Sequence, residues 1–312
     1  MTVPSHTTLR YPGLKPPMVG GIDLVGTVLE AGPGSGHKVG DQVLCNGWGV
    51  GTDHWGGYAG EARLQSRWAI PLPSGLTSRQ AAQIGTAGYT AMLCVQALET
   101  AGLRPDSGKV LVSGTPGGVG SVATLLLAEL GYHVVAVTGP NNNKEDTDYL
   151  KSLGATELLD RETLQGDPKP LAKESYAGCV DSAGGKVLAN VLPLISHSGA
   201  VACCGLAAGM ALNTTVAPFI LRGVTLAGVD SVFMPLERRL AAYNKFSPIL
   251  ADGKLDLLAG DNKTVGLSGT LELANKMLQV STQYSLPLGA CPQHSYSGKS
   301  DWKICGRCQC LI

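Results

Sequence analysis

Residues 109–123 constrain this chain more than any other stretch. They read Lys-Val-Leu-Val-Ser-Gly-Thr-Pro-Gly-Gly-Val-Gly-Ser-Val-Ala, a short apolar run that enters Gly114, Gly117, Gly118 and Gly120. An amphipathic helix follows at once, with Val119, Val122, Ala123, Leu126 and Leu130 at the spacing of one face. Gly131 stops it, and residues 133–137 supply the next apolar run. A strand, a glycine turn and a helix in that order suit a pyrophosphate. Without side chains the turn lets backbone approach the phosphates, and the free N–H groups of the first helical turn point at negative charge. Isolated glycines are weak evidence, because any tight turn collects them. The flanking strand, helix and second strand make this a dinucleotide site.

The rest of the chain falls into regions of different texture. Residues 1–85 are rich in Gly and Pro, with short strand-like runs at 22–29 and 41–45, as expected of a small β domain with many turns. Between 86 and 232, strand-length and helix-length patterns alternate, which is what a parallel sheet covered by helices requires. Its strands are expected at 110–112, 134–137, 178–181, 200–203 and 225–229. One helix is expected at 187–195, with Leu188, Val191, Leu192 and Ile195 on one side. Residues 233–280 are expected to return to the first domain, with a helix at 236–250. Residues 281–312 form a divergent, Cys-rich tail, expected to be unstructured.

The 312 residues are 44% apolar and carry 24 basic against 24 acidic side chains, enough chain for two cored domains. A balanced charge argues against a nucleic-acid or membrane-surface role. No apolar run is long enough to span a bilayer, and residues 1–17 lack a signal pattern. Nine cysteines, five of them (Cys45, Cys94, Cys179, Cys203, Cys204) in or beside apolar runs, point to reduced thiols in a cytoplasmic compartment.

Several segments resemble the medium-chain dehydrogenase/reductase superfamily, and within it the acrylyl-CoA reductase (YhdH-type quinone oxidoreductase) branch. They are residues 21–28, the Trp- and Gly-rich run 47–57 around His54, residues 85–94, 149–155 and 218–222, and Gly228 to Val232. The likeness runs from about Pro17 to Glu237. It implies a doubly wound α/β (Rossmann) domain beside a smaller GroES-like β domain, with NADPH as cofactor. Implied cofactor contacts are Pro116, Gly117, Gly118 and Val119 at the pyrophosphate, and Thr138, Gly139, Pro140 and Arg161 at the adenosine 2′-phosphate. Leu206, Ile220 and Ser231 are implied at the nicotinamide half. Core packing is the competing reading of Leu206 and Ile220, and a plain surface arginine that of Arg161. The residues themselves favour a phosphate at 138–139, since no acid ends that strand to take a ribose hydroxyl, and Arg161 can offer a guanidinium fork. Lys144 is a further cation on a lengthened loop.

The resemblance also bears on metal. Zinc alcohol dehydrogenases of the superfamily carry Gly-His-Glu where this chain has Gly21-Ile22-Asp23, and isoleucine offers zinc no lone pair. The expected site is metal-free. Cys305, Cys308 and Cys310, with Cys291 and His294 upstream, hold half of a zinc-site spacing in the tail.

The implied activity is NADPH-dependent reduction of an activated C=C bond, acrylyl-CoA to propionyl-CoA, by a homodimer joined through residues 225–229. Quinone or enone reduction, and NADPH binding without activity, are the alternatives. Branch members carry an Asn-Tyr-Lys-Asp segment ahead of the Pro17 region, with its tyrosine at the nicotinamide. The expectation here is an N-terminally incomplete β domain, and no catalytic residue is assigned. His54 reads as part of a turn and pocket wall, Thr90 as a helix residue that caps or packs, and Asp23 and Asp41 as structural.

Overall fold

A computed structural model describes residues 17–139, 144–250, 253–259, 266–270, 272, 275 and 301–305. In strand β1 (Asp23–Glu30) the alternation Leu24, Gly26, Val28 turns one face inward, and Leu24 and Val28 are buried. It pairs antiparallel with β2 (Gln42–Asn46), Leu24 lying opposite Cys45 and Gly26 opposite Val43. Strands β3 (Glu61–Gln65) and β4 (Ile70–Pro71) follow.

Helix α1 (Ser78–Thr100) leaves this domain. Thr77 and Gln80 form a capping box at its start, each side chain bonded to the other's backbone N–H. At Gly85 the backbone reaches φ 47° and ψ −160° and the helix kinks; beyond it residues 88–95 are all buried.

Six parallel strands make the second domain. They are β5 (Lys109–Val112), β6 (His133–Thr138), β7 (Glu157–Asp160), β8 (Tyr176–Asp181), β9 (Ile195–Cys203) and β10 (Thr225–Gly228). Their spatial order is β10-β9-β8-β5-β6-β7. Counted from β5, this is the 3-2-1-4-5-6 order of a doubly wound nucleotide-binding sheet. Helices α2 (Gly118–Glu129), α3 (Lys144–Ser152), α4 (Gly185–Val191) and α5 (Ala217–Arg222) lie along the chain between strands. Alternate residues of β5 serve two cores. Val110 and Val112 join α1 and α2, whereas Leu111 joins Cys179, Val201 and the α4 residues Val187, Leu188 and Val191. The α1 side also takes in Leu44 and Ile70 of the β domain and Tyr243 and Phe246 from the last helices, so one core spans the junction.

Some expectations need correction. The strand at 157–160 was not foreseen, being a four-residue edge strand with two leucines between acids. The helix expected at 187–195 ends at Val191; a 3-10 turn over Leu192–Leu194 follows, because Pro193 has no N–H to continue the ladder, and Ile195 already belongs to β9. The helix expected at 236–250 is two, α6 (Leu236–Asn244) and α7 (Phe246–Ile249). The tail is not wholly irregular: β11 (Asp301–Cys305) pairs with β1 and β3, giving the antiparallel order β3-β11-β1-β2-β4. The polar-apolar alternation from Asp301 to Cys305 was a legible strand signal. Cys291, His294, Cys308 and Cys310 lie outside the described residues.

Candidate cofactor site

The glycine turn sits where β5 hands over to α2. Gly114 has φ 64°, and Gly117 precedes the helix with no side chain capping the first turn. The turn is held from below. Thr115, fully buried, donates its hydroxyl to the Val137 carbonyl, and Ser121 N–H makes the bond back to Gly117 O at 2.9 Å. Pro116, Gly117 and Gly118 lie exposed above it, Val119 is half-buried and Gly120 buried. A Cβ at Gly120 would stand 2.3 Å from Gly114 O and 2.6 Å from Thr115 Cα; one at Gly118 would meet Ala87 of α1 at 2.9 Å. The glycines are therefore required by the protein's own packing, and the exposed backbone above them is a cradle for an anion.

Toward β6 and β7 the carboxyl edge is open. Thr138 ends β6 and is buried; its partner in register is Asp160, so Arg161 begins the turn after β7 beside it. Asp160 spends its carboxylate on the Glu162 N–H at 2.9 Å. A Cβ at Gly139 would meet nothing within 4 Å. Pro140 lies outside the described residues, and Lys144 is exposed at the start of α3.

Toward β8, β9 and β10 the edge is polar and buried. Asp181, fully buried at the end of β8, accepts the Ser113 hydroxyl at 2.6 Å and the Gly184 N–H at 2.8 Å. Ser113 Oγ in turn accepts Ser182 N–H at 3.0 Å. Burial pushes the Asp181 carboxyl up from its usual range, against these hydrogen bonds. Gly205 passes so close that a Cβ would lie 2.1 Å from Ser182 O. Leu206 is 42% exposed and Ile220 72%, so core packing does not account for either. Ser231, half-buried, follows β10 and gives its carbonyl to Arg239.

Elsewhere, Thr90 is buried and donates to Thr86 O at 2.7 Å, a packing role. Asp23 takes both the Thr86 N–H at 2.6 Å and its hydroxyl at 2.8 Å, capping the half of α1 beyond the Gly85 kink. Asp41 takes the Lys38 N–H of a turn. His54 is exposed, its ring tilted against Trp68 at 4.7 Å. Among the described residues no group of three or more His, Cys, Asp or Glu is placed to hold a metal ion. The residues missed by sequence reasoning are Asp181, Asn46 and Arg239. Only Asp181 had a local signal, an acid ending an apolar strand ahead of two glycines.

Comparison with known proteins agrees with this architecture. The alcohol dehydrogenase GroES-like domain matches residues 3–74 and the zinc-binding dehydrogenase family residues 118–242. The acrylyl-CoA reductase AcuI of Ruegeria pomeroyi is 50% identical over 245 residues, covering 78% of this chain and 73% of that protein. The chain is a medium-chain dehydrogenase/reductase of the acrylyl-CoA reductase branch. Among solved structures, Escherichia coli K-12 YhdH with bound NADPH superposes with a TM-score of 0.81 at 46% identity, covering 86% of this chain and 81% of that one. Bacillus subtilis YhfP with NAD bound gives 0.81 at 40% identity, covering 86% and 80%. Position 22 holds isoleucine, which offers zinc no lone pair, although the matching family is named for zinc.

Proposed function

We propose that the chain is an NADPH-dependent reductase of activated C=C bonds that converts acrylyl-CoA to propionyl-CoA. The observation that carries this is 50% identity to an acrylyl-CoA reductase, running through a glycine cradle that the fold keeps free of side chains. Backbone from Pro116 to Val119 holds the pyrophosphate, Thr138, Gly139 and Arg161 the 2′-phosphate, and Leu206, Ile220 and Ser231 border the nicotinamide half. Pro140 completes the 2′-phosphate set by sequence. NADPH, when bound, would supply a hydride to the β-carbon of the thioester, and a proton would go to the α-carbon to complete the reduction. The chain's part is to align the two partners and to offer donors where charge gathers on the carbonyl oxygen.

The reading includes the division into residues 1–85, 86–232, 233–280 and 281–312. It also includes a homodimer joined at the free edge of β10. The expected place is the cytoplasm, consistent with five free thiols at Cys45, Cys94, Cys179, Cys203 and Cys204. Among the described residues no helix is long and apolar enough to cross a membrane. We expect no nucleic-acid partner, since the formal charge is zero.

The test is direct. Protein, NADPH and acrylyl-CoA are mixed, and absorbance of the reduced nicotinamide should fall. No turnover, or a clear preference in kcat/KM for a quinone over the thioester, would replace this reading.

A further inference from the structure

Among the described residues Arg239 is the largest fully buried side chain, and no carboxylate forms an ion pair with it. A guanidinium removed from water is costly unless its donors are matched. Here the two Nη groups are matched by two separate parts of the chain, while the buried Nε has no hydrogen-bond partner among the described residues. Nη1 donates to Asn46 O at 3.0 Å and to Asn46 Oδ1 at 2.5 Å, both at the end of β2. Nη2 donates to Ser231 O at 2.9 Å and Val232 O at 3.1 Å, in the loop after β10. The guanidinium carbon lies over two aromatic rings, 4.9 Å from the Trp48 centroid and 4.7 Å from that of Tyr89.

The surroundings are built for this contact. Trp48 adopts φ 56°, uncommon for a residue with a Cβ, and its N–H donates to the same Val232 carbonyl at 3.1 Å. A Cβ at Gly47, where φ is 77°, would stand 2.6 Å from Val232 O and 3.0 Å from Arg239 Nη2. Asn46 also donates to the Tyr243 hydroxyl at 2.5 Å. Directly opposite Asn46 in the β1–β2 register lies Asp23, which caps α1 at Thr86. One polar chain, buried at Asn46 and Arg239 and half-buried at Asp23 and Ser231, therefore runs from the kink of α1, across β1 and β2, to the loop after β10.

In a doubly wound sheet the second three strands serve the second mononucleotide half. The Ser231 loop belongs to that half, whereas Thr138 and Arg161 belong to the first. We propose that Arg239 is a positioning residue for the nicotinamide half of the cofactor, fixing the Ser231–Val232 backbone against the Asn46–Trp48 turn. This rests on the cofactor reading given above and adds to it a residue with no place in the glycine fingerprint.

The experiment compares binding of NADPH with binding of adenosine 2′,5′-bisphosphate, which lacks the nicotinamide half, in wild type and Arg239→Lys. A lysine keeps the charge but cannot fork to both sides. The expected result is about tenfold weaker NADPH binding, with the bisphosphate held within about twofold of wild type. Equal losses for both ligands, or no loss for either, overturn the inference. Should Arg239→Lys fail to fold, Asn46→Ala removes one anchor and should show the same split at about threefold; equal effects on both ligands there overturn it as well. Wild-type protein that binds no NADPH would instead overturn the cofactor reading, and this inference with it.

Discussion

The two ends of the parallel sheet's carboxyl edge are made in opposite ways. At the β6–β7 end the buried Thr138 gives way to groups nearer the surface: Gly139 has open space where a Cβ would go, and Arg161 is half-buried on a short turn. At the β8–β10 end the polar groups are interior. Asp181 and Arg239 are both fully buried, and their partners come from Ser113, 68 residues away, and Asn46, 193 residues away. A surface site can change ligand preference without disturbing the fold. A buried network ties ligand geometry to stability, so the two ends should answer mutation differently.

The centre, where the ends meet, should give the largest effect. Gly120→Ala drives a Cβ into Gly114 O and Thr115 Cα, backbone atoms that cannot rotate away. A loss of about 3 kcal/mol is expected, read as a lowered midpoint in urea unfolding. Gly139→Ala is the control: with no atom in its path it should stay within about 0.5 kcal/mol of wild type. Equal behaviour of the two variants would mean that the glycines are not divided between packing and ligand approach.

The open end comes next. Arg161→Ala should weaken NADPH by about 2 kcal/mol, the worth of a hydrogen bond to a charged group, and leave NADH binding where it is. Parallel losses for both nucleotides would remove Arg161 from the 2′-phosphate.

The same contrast explains what could be read from sequence. The runs at Val110–Val112 and Val134–Val137 are apolar because both faces of those strands are covered, and a continuous apolar run is legible without any partner in view. The glycine turn was legible because steric demand is local. Edge strand β7 shows two leucines between acids, and its residues are only half-buried or exposed, so little hydrophobic pattern was left to find. Pro193 was a visible stop signal for α4, yet the apolar spacing from Val187 to Ile195 runs straight through it into β9. Arg239 sits in a charged stretch, Glu237-Arg238-Arg239, that reads as a solvated helix face. Its burial depends on Asn46, 193 residues away, which no window of sequence contains together with it.

Apart from the Gly139 control, the smallest expected effect lies at Asp181, and its sign is informative. Burial raises the folded-state pKa of this acid above its ordinary value of 3.8, so the folded protein keeps the proton to higher pH than the unfolded chain does. Between those two values the folded state binds more protons, and stability must fall as pH rises through the window. Below it the carboxyl is neutral in both states and its contribution is at its fullest. Asp181→Asn mimics the neutral acid at every pH. Its carbonyl can take the Gly184 N–H while its amide faces Ser113 Oγ, so the cost at acid pH is about 1 kcal/mol or less. The gap between wild type and variant, followed by urea unfolding from acid to neutral pH, should therefore narrow as pH rises. A gap that widens instead would show the carboxylate to be stabilised by Ser113 and Gly184 more than burial penalises it, and the buried end would then favour its charged form.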